Sequence, residues 1–160
     1  MDNHYVYLIA CCSETTVYVK IGLTSSIQRR LSNVQTGCPH VITDAFIILS
    51  EYREEVEGLE KLLHIILAPQ CLRAEWYVGT NDFFLVLEAV LGRVNAGGFS
   101  YEEIEELPDF TGPELEIMMH GHDFEFRRVS LPLRSGREVR VESAPVTPTK
   151  IAEILRQART

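Results

Sequence analysis

The sequence predicts an α/β (α+β) fold: a small, mainly antiparallel three-stranded sheet flanked by helices, followed by a C-terminal appendage of a hairpin and a helix. Two observations predict the sheet and its helices. Runs rich in β-branched and aromatic residues occur at 4–10, 16–22 and 43–50, as is typical of strands. Apolar residues recur at helical spacing over 52–67 and 81–94, which indicates two amphipathic helices.

Length and composition suit such a domain. The chain has 160 residues, of which 46% are apolar and 24% charged, so it can bury one sizeable core. No apolar run approaches the roughly 18 residues of a membrane span, and no basic segment precedes an apolar stretch at the N-terminus. We therefore expect a cytoplasmic protein with no membrane partner. The four cysteines have no C-x-x-C spacing and are expected to be reduced thiols.

The first two predicted strands form a hairpin, because only the short polar stretch Ser13-Glu14-Thr15 separates the main apolar runs. A short helix follows, which either Ser25 or Ser26 can cap. After the next strand and helix, 74–78 reads as a short edge segment. Thr80 or Asn81 can then cap the helix over 81–94.

The pair Gly97-Gly98 marks a boundary, which divides the chain into a domain at 1–96 and an appendage at 97–160. The charge separates beyond this point: 100–125 carries nine acidic residues and no lysine or arginine, whereas 126–160 carries eight basic and three acidic residues. Apolar residues predict a second hairpin that turns at Ser135-Gly136, with strands marked by Phe124, Phe126, Val129 and Leu131 and by Val139 and Val141. Thr147-Pro148 opens the last helix.

The overall charge of −8 is unfavourable for a protein that grips nucleic acid through a broad basic face, although a local basic cluster can still bind it. One candidate cluster consists of the arginines of the appendage, which are Arg127, Arg128, Arg134, Arg137 and Arg140. These arginines can serve as an electrostatic arm for nucleic acid. They can equally pair with the acidic block that precedes them, and the sequence leaves both readings open.

Six short motifs occur in order across 5–77. They are Tyr5-Val6-Tyr7, Lys20-Ile21-Gly22, Arg30 eight residues after that glycine, Glu60, His64 four residues further on, and Glu75-Trp76-Tyr77. This order and spacing resembles the GIY-YIG nuclease superfamily, in particular the divergent branch whose second motif reads K-I-G and which carries E-x-x-x-H followed by E-W-[F/Y]. The resemblance covers about 90 residues, a little over half of the chain.

The resemblance implies a metal-dependent endonuclease that hydrolyses phosphodiester bonds in nucleic acid, with DNA a better candidate than RNA. It also implies one Mg²⁺ (or Mn²⁺) ion. By that resemblance, Tyr7 orients or deprotonates a water, Arg30 offers a planar fork to phosphate oxygens, and Glu60 holds the metal. These are the residue types that phosphodiester cleavage needs, since it requires positive charge at the phosphate and an activated nucleophile.

The remaining candidates lie around these three residues. Tyr5, Lys20 and His64 are predicted to be catalytic; Lys20 stands where the family has its second tyrosine and can neutralise phosphate charge. Arg29 and Thr24 are predicted to contact the substrate. Glu75 and Trp76 are interpreted as structural, with the tryptophan packed at the sheet edge.

A rival hypothesis keeps the scaffold without the catalysis: a module that binds nucleic acid or protein, with a protein partner or a dimer formed through the appendage. The substitution of lysine for the second tyrosine favours this rival. The two hypotheses differ in geometry. An enzyme requires the side chains of Tyr7, Lys20, Arg30, Glu60 and His64 to converge in one cleft, whereas dispersal of Arg30 and Glu60 to separate faces contradicts it.

Overall fold

The computed structural model describes residues 4–37, 40–105, 112–131 and 143–158. Across these ranges the strands form a single sheet in which every neighbouring pair is antiparallel. The strands are β1 (Tyr5–Cys12), β2 (Val17–Thr24), β3 (Ile42–Leu49), β4 (Cys71–Arg73), β5 (Trp76–Val78), β6 (Glu125–Val129) and β7 (Ser143–Pro145). The helices are α1 (Ile27–Gly37), α2 (Arg53–Ile66), α3 (Asn81–Asn95), α4 (Tyr101–Glu105), α5 (Gly112–His120) and α6 (Pro148–Gln157).

The sheet is covered on both faces, and its strand order is β4-β5-β2-β1-β3-β6-β7. In the central strand β1, Val6, Leu8 and Ala10 point into a large core shared with α2, α3, α5 and α6. Tyr7 and Ile9 point to the opposite face, where α1 covers them. This alternation follows from the two-residue period of a strand, and it explains why β1 is apolar at nearly every position.

The fold class that the sequence predicts is confirmed. The three longest strands and the helices α2 and α3 lie where the apolar patterns place them. Ser26 caps α1, since its hydroxyl accepts a hydrogen bond from the Arg29 amide at 3.3 Å. Thr80 caps α3 by accepting from the Phe83 amide at 3.1 Å. Both helices therefore begin with a side chain that satisfies an unpaired backbone N–H.

The predicted number of strands is wrong: the sheet has seven strands in the described parts of the chain, not three. Three of the four additional strands are only three residues long, which is too short to show a two-residue alternation. The hairpin of β4 and β5 adds to the outer edge of β2. Its turn holds Ala74 at a φ of +53°, a left-handed conformation that side chains other than glycine rarely adopt.

The described residues of the segment 97–160 complete this sheet and core. Strand β6 pairs with β3, and the Arg128 guanidinium bonds to the buried Asp44 carboxylate of β3 at 3.0 Å. Helix α5 packs on α2 and α6 packs on α3. The boundary between 1–96 and 97–160 stays a prediction, and the two parts share one core.

Two further expectations concern this segment. The predicted turn at Ser135-Gly136 and the strand marked by Val139 and Val141 lie outside the described residues. Strand β6 pairs with β7, which begins at Ser143, two residues after Val141. None of the described helices is both long and apolar enough to cross a membrane.

Candidate functional site

Where β2 runs past the end of β5, the structure holds four of the predicted site residues: Tyr7, Arg30, Glu60 and His64. Strand β5 pairs only with Tyr18, Val19 and Lys20, while β2 continues to Thr24. Beyond that point, groups from the α1 face of the sheet and groups from α2 come together around the edge of β2. Glu75 is fixed at this edge, because its carbonyl accepts a hydrogen bond from the Ile21 amide at 3.1 Å.

Tyr7 links the two sides of the site. Its ring lies on the α1 face and is 1% exposed, and its hydroxyl donates to the Glu75 carboxylate at 3.2 Å. The Arg30 guanidinium lies over the Tyr7 ring, 5.6 Å from the ring centre. This contact is a cation–π interaction. Tyr7 of β1 therefore contacts both the Glu75 carboxylate and the Arg30 guanidinium of α1.

The Tyr7 hydroxyl is held in its neutral form. Burial is the main cause that raises its pKa far above the ordinary value, and the negative charge of Glu75 raises it further, while Arg30 opposes the shift. Both causes disfavour the phenolate. At neutral pH, Tyr7 is therefore a hydrogen-bond donor that can orient a carboxylate or a water, and in this state it is not a base.

Glu60, His64 and Glu75 form a cluster on the α2 side. Glu60 and His64 are one helical turn apart, and the Glu60 carboxylate approaches the His64 Nε2 atom to 2.9 Å. The other ring nitrogen, Nδ1, makes a short hydrogen bond with the Tyr77 hydroxyl. Burial raises the pKa of Tyr77 as well, and the neighbouring Cys71, Glu60 and Glu75 add to the shift.

These three side chains fit a divalent cation. One ligand atom from each lies within 4.8 Å of the others, a separation that oxygen and nitrogen ligands about 2.0–2.2 Å from one ion can close with small adjustments. The His64 Nε2 atom is buried and has no well-aligned hydrogen-bond acceptor, despite its 2.9 Å approach to Glu60. A hydrogen bond needs alignment as well as a short distance, so this contact is not a hydrogen bond. A ligand atom facing two carboxylates without a hydrogen bond is suited to a metal.

The other predicted residues lie near the cluster without contacting it. Tyr5 donates its hydroxyl to the Ser25 carbonyl at 3.2 Å and thereby holds the loop between β2 and α1. The Lys20 ammonium lies over the Trp76 ring at 5.6 Å, on the same face of the sheet as Tyr7. The cluster lines one cavity, which Tyr77 also lines. Thr24 and Arg29 line a second cavity, together with Arg30.

The T5orf172 domain matches residues 4–96, more than half of the chain. The chain belongs to the T5orf172 family. The matched range contains the three residues of the cluster, and it also contains Tyr7 and Arg30. The T5orf172 domain is associated with GIY-YIG-like folds. Comparison with curated proteins and with solved structures gave no match.

Two residues of the candidate site, Glu75 and Tyr77, are not among the site residues that the sequence predicts. Glu75 was interpreted as structural because it adjoins Trp76, yet its carboxylate contacts Tyr7 and lies within the Glu60–His64 cluster. Tyr77 contacts the ring of His64. Both residues belong to the Glu75-Trp76-Tyr77 motif. The motif alone does not show that the turn before β5 orients the Glu75 carboxylate toward α2.

Gly22 makes the close approach of Tyr7 and Glu75 possible in this T5orf172 domain. It lies directly across from Tyr7 in the β1–β2 pair. A methyl group at position 22 would lie 2.5 Å from the Tyr7 hydroxyl and 2.9 Å from the Glu75 carboxylate.

We expect Gly22→Ala to lower any activity of the site at least about tenfold, at a cost of about 1–3 kcal/mol in stability. The activity of the purified variant and its thermal unfolding measure the two effects. Gly92→Ala is the control, because a methyl group there meets no atom within 4 Å; equal activity of the two variants would show that Gly22 does not support the site.

Proposed function

We propose that this protein is a metal-dependent nuclease that hydrolyses phosphodiester bonds in nucleic acid, with DNA as the expected substrate and one Mg²⁺ or Mn²⁺ ion as the cofactor. The observation that carries the proposal is the convergence of a candidate metal cluster with an arginine and a neutral tyrosine at one sheet edge. Phosphoryl chemistry depends mainly on such positioning and on charge stabilisation. Membership of the T5orf172 family and the motif order support the same function.

Glu60, His64 and Glu75 are the residues that would hold the ion. A bound divalent ion would neutralise negative charge on the phosphate oxygens. The Tyr77 hydroxyl fixes the orientation of the His64 ring by bonding Nδ1, which directs Nε2 toward the two carboxylates. A hydrogen bond to the ring nitrogen that does not bind the metal is common at histidine ligands.

Arg30 and Tyr7 act from the α1 face. The Arg30 guanidinium can bond two phosphate oxygens at once through its planar fork, and the Tyr7 ring beneath it limits where the fork points. The Tyr7 hydroxyl donates to Glu75 and so holds that carboxylate in place for the cluster. This role requires the neutral phenol, which is the form that its surroundings favour.

A cleavage assay tests the proposal directly. The full chain is incubated with single-stranded DNA, duplex DNA, branched DNA and RNA, each with Mg²⁺, Mn²⁺ or EDTA. We expect cleavage of at least one DNA form with Mg²⁺ or Mn²⁺, and none in EDTA. Binding without cleavage under every condition would instead identify the protein as a nucleic-acid-binding module, and the absence of both would overturn the proposal.

The substitution Arg30→Lys tests whether Arg30 binds phosphate through two parallel hydrogen bonds or only through its positive charge. A lysine cannot reproduce two parallel hydrogen bonds, so we expect cleavage to fall about tenfold or more, equivalent to about 1.4 kcal/mol of barrier. Arg93→Lys is the matched control, because Arg93 lies on α3 and pairs with Glu103. If Arg30→Lys cleaves within twofold of the unaltered protein, Arg30 is not a phosphate ligand.

A further inference from the structure

A second cavity, of about 350 Å³, lies beside the proposed metal cluster, at the start of α1 and α2. The loop between β2 and α1 contributes Thr24, Ser25 and Ser26 to its wall. The two helices contribute Arg29, Arg30 and Arg53. The cavity therefore combines hydroxyl groups with guanidinium groups, which are both common ligands of phosphate oxygens.

The charge of this cavity is opposite to that of the whole chain. The chain carries a formal charge of −8, whereas the cavity has three arginines and a single carboxylate, that of Glu57. Glu57 bonds to Arg53 at 2.7 Å. Within the described part of the chain, neither Arg29 nor Arg30 forms an ion pair with a carboxylate. Arg29 is thus available to an anion. Arg53 is available as well, because its ion pair with Glu57 is solvent-exposed and therefore weak.

The cavity and the proposed catalytic site are linked by Arg30 and by one side of α2. Arg30 lines the cavity and also lies over the Tyr7 ring. On α2, Arg53, Glu57, Glu60 and His64 follow one another at spacings of four, three and four residues, so they share one side of the helix. Arg53 lies about 10 Å along the helix axis from Glu60, at 1.5 Å per residue. An extended polyanion that reaches the cluster can therefore also reach the cavity.

We propose that this cavity binds a phosphate of the nucleic-acid strand beside the one that is cleaved, through Arg29 and Arg53. The inference rests on the proposed nuclease function and assigns the strand a position on the protein. It also explains how an acidic chain can bind a polyanion, because three arginines lie together at the place that the strand is proposed to occupy. A local cluster of this kind gives a salt-dependent affinity without a broad basic face.

Binding measurements without cleavage test the inference. Arg29→Gln, Arg53→Gln and the double variant are compared with Lys61→Gln, which removes the same charge from an exposed position on α2 outside both cavities. Affinity for a fluorescent DNA duplex is measured in EDTA over a range of salt concentrations. Each cavity variant is expected to lower the affinity and to reduce the slope of log affinity against log salt by about 0.9, as for one lost duplex phosphate contact. Lys61→Gln is expected to leave the slope unchanged.

A second measurement locates the phosphate. Duplexes in which a single phosphate is replaced by a neutral methylphosphonate are scanned along the strand. The unaltered protein should lose affinity at one position next to the cleaved bond, and the double variant should be insensitive at that position. If the DNA is bound and cleaved but the cavity variants match Lys61→Gln, the cavity assignment is wrong and the nuclease function stands. Absence of both binding and cleavage by the unaltered protein would overturn the nuclease function itself.

Discussion

Glu75→Gln is expected to abolish metal-dependent cleavage while leaving the protein folded. The substitution keeps the size of the side chain and removes the charge that a divalent cation needs. It also weakens the hydrogen bond from the Tyr7 hydroxyl, which is made to a carboxylate oxygen. We expect a loss of at least about 100-fold, equivalent to about 2.7 kcal/mol of barrier. Glu60→Gln should have an effect of the same order, because both acids belong to one cluster.

Three measurements make this prediction specific. Cleavage rates in Mg²⁺ and Mn²⁺ report the activity, calorimetric titration with Mn²⁺ reports metal binding, and thermal unfolding reports the fold. Glu54→Gln is the matched control, since Glu54 lies on the first turn of the same helix and is exposed. Undiminished cleavage by Glu75→Gln would show that Glu75 is not a metal ligand. Glu60, which is assigned from the sequence, would then be the remaining carboxylate of the proposed metal site.

The central part of the fold could be predicted because its signals are local. The alternation in β1 and β2, the cap at Ser26 or Thr80 and the helical spacing in α2 are each contained in a few consecutive residues. The outer strands could not be predicted as parts of the sheet, because their pairing depends on residues far apart in the chain. The β3–β6 pair joins Phe46 to Arg128, and nothing near either residue in the sequence indicates the other.

The candidate site shows the same division. The motif order brings Tyr7, Arg30, Glu60 and His64 to one edge, and the structure places them there. Glu75 could not be assigned in advance, because its direction depends on the left-handed turn at Ala74, next to it in sequence. The catalytic roles of all these residues stay predictions, which the variants above are designed to test.

The C-terminal segment raises a different question, because the sequence leaves open whether its arginines bind nucleic acid or pair with the acidic block that precedes them. The structure gives two of them internal partners. The Arg127 guanidinium bonds to Glu125 at 2.7 Å and to the Ser143 hydroxyl at 2.7 Å, and Arg128 bonds to Asp44. Arg134, Arg137 and Arg140 lie outside the described residues. These contacts favour a structural role for the start of the basic segment.

Truncation after Gly98 is therefore expected to unfold the protein rather than only to weaken its binding to nucleic acid. The removed segment contributes six large apolar side chains to the main core: Ile117, Met118, Phe124, Phe126, Ile151 and Leu155, each no more than 7% exposed. At about 1.5–3 kcal/mol for each buried side chain, their burial amounts to roughly 9–18 kcal/mol. Typical domains are stable by only about 5–15 kcal/mol. The cut also exposes the edge of β3 and the surfaces of α2 and α3 that α5 and α6 cover.

Circular dichroism and thermal unfolding of the 1–98 fragment measure this outcome. Phe126→Ala in the full chain is compared with the fragment, because it removes only one of the six buried side chains. Removal of that one buried ring should lower the free energy of unfolding by about 3–5 kcal/mol, because Phe126 packs in the main core beside β3. The fragment should then show no cooperative unfolding transition. A 1–98 fragment that unfolds cooperatively near the melting temperature of the full chain would show that residues 4–96 form a stable domain without β6. In that case the apolar side chains of the C-terminal segment would cover the core without being required for folding.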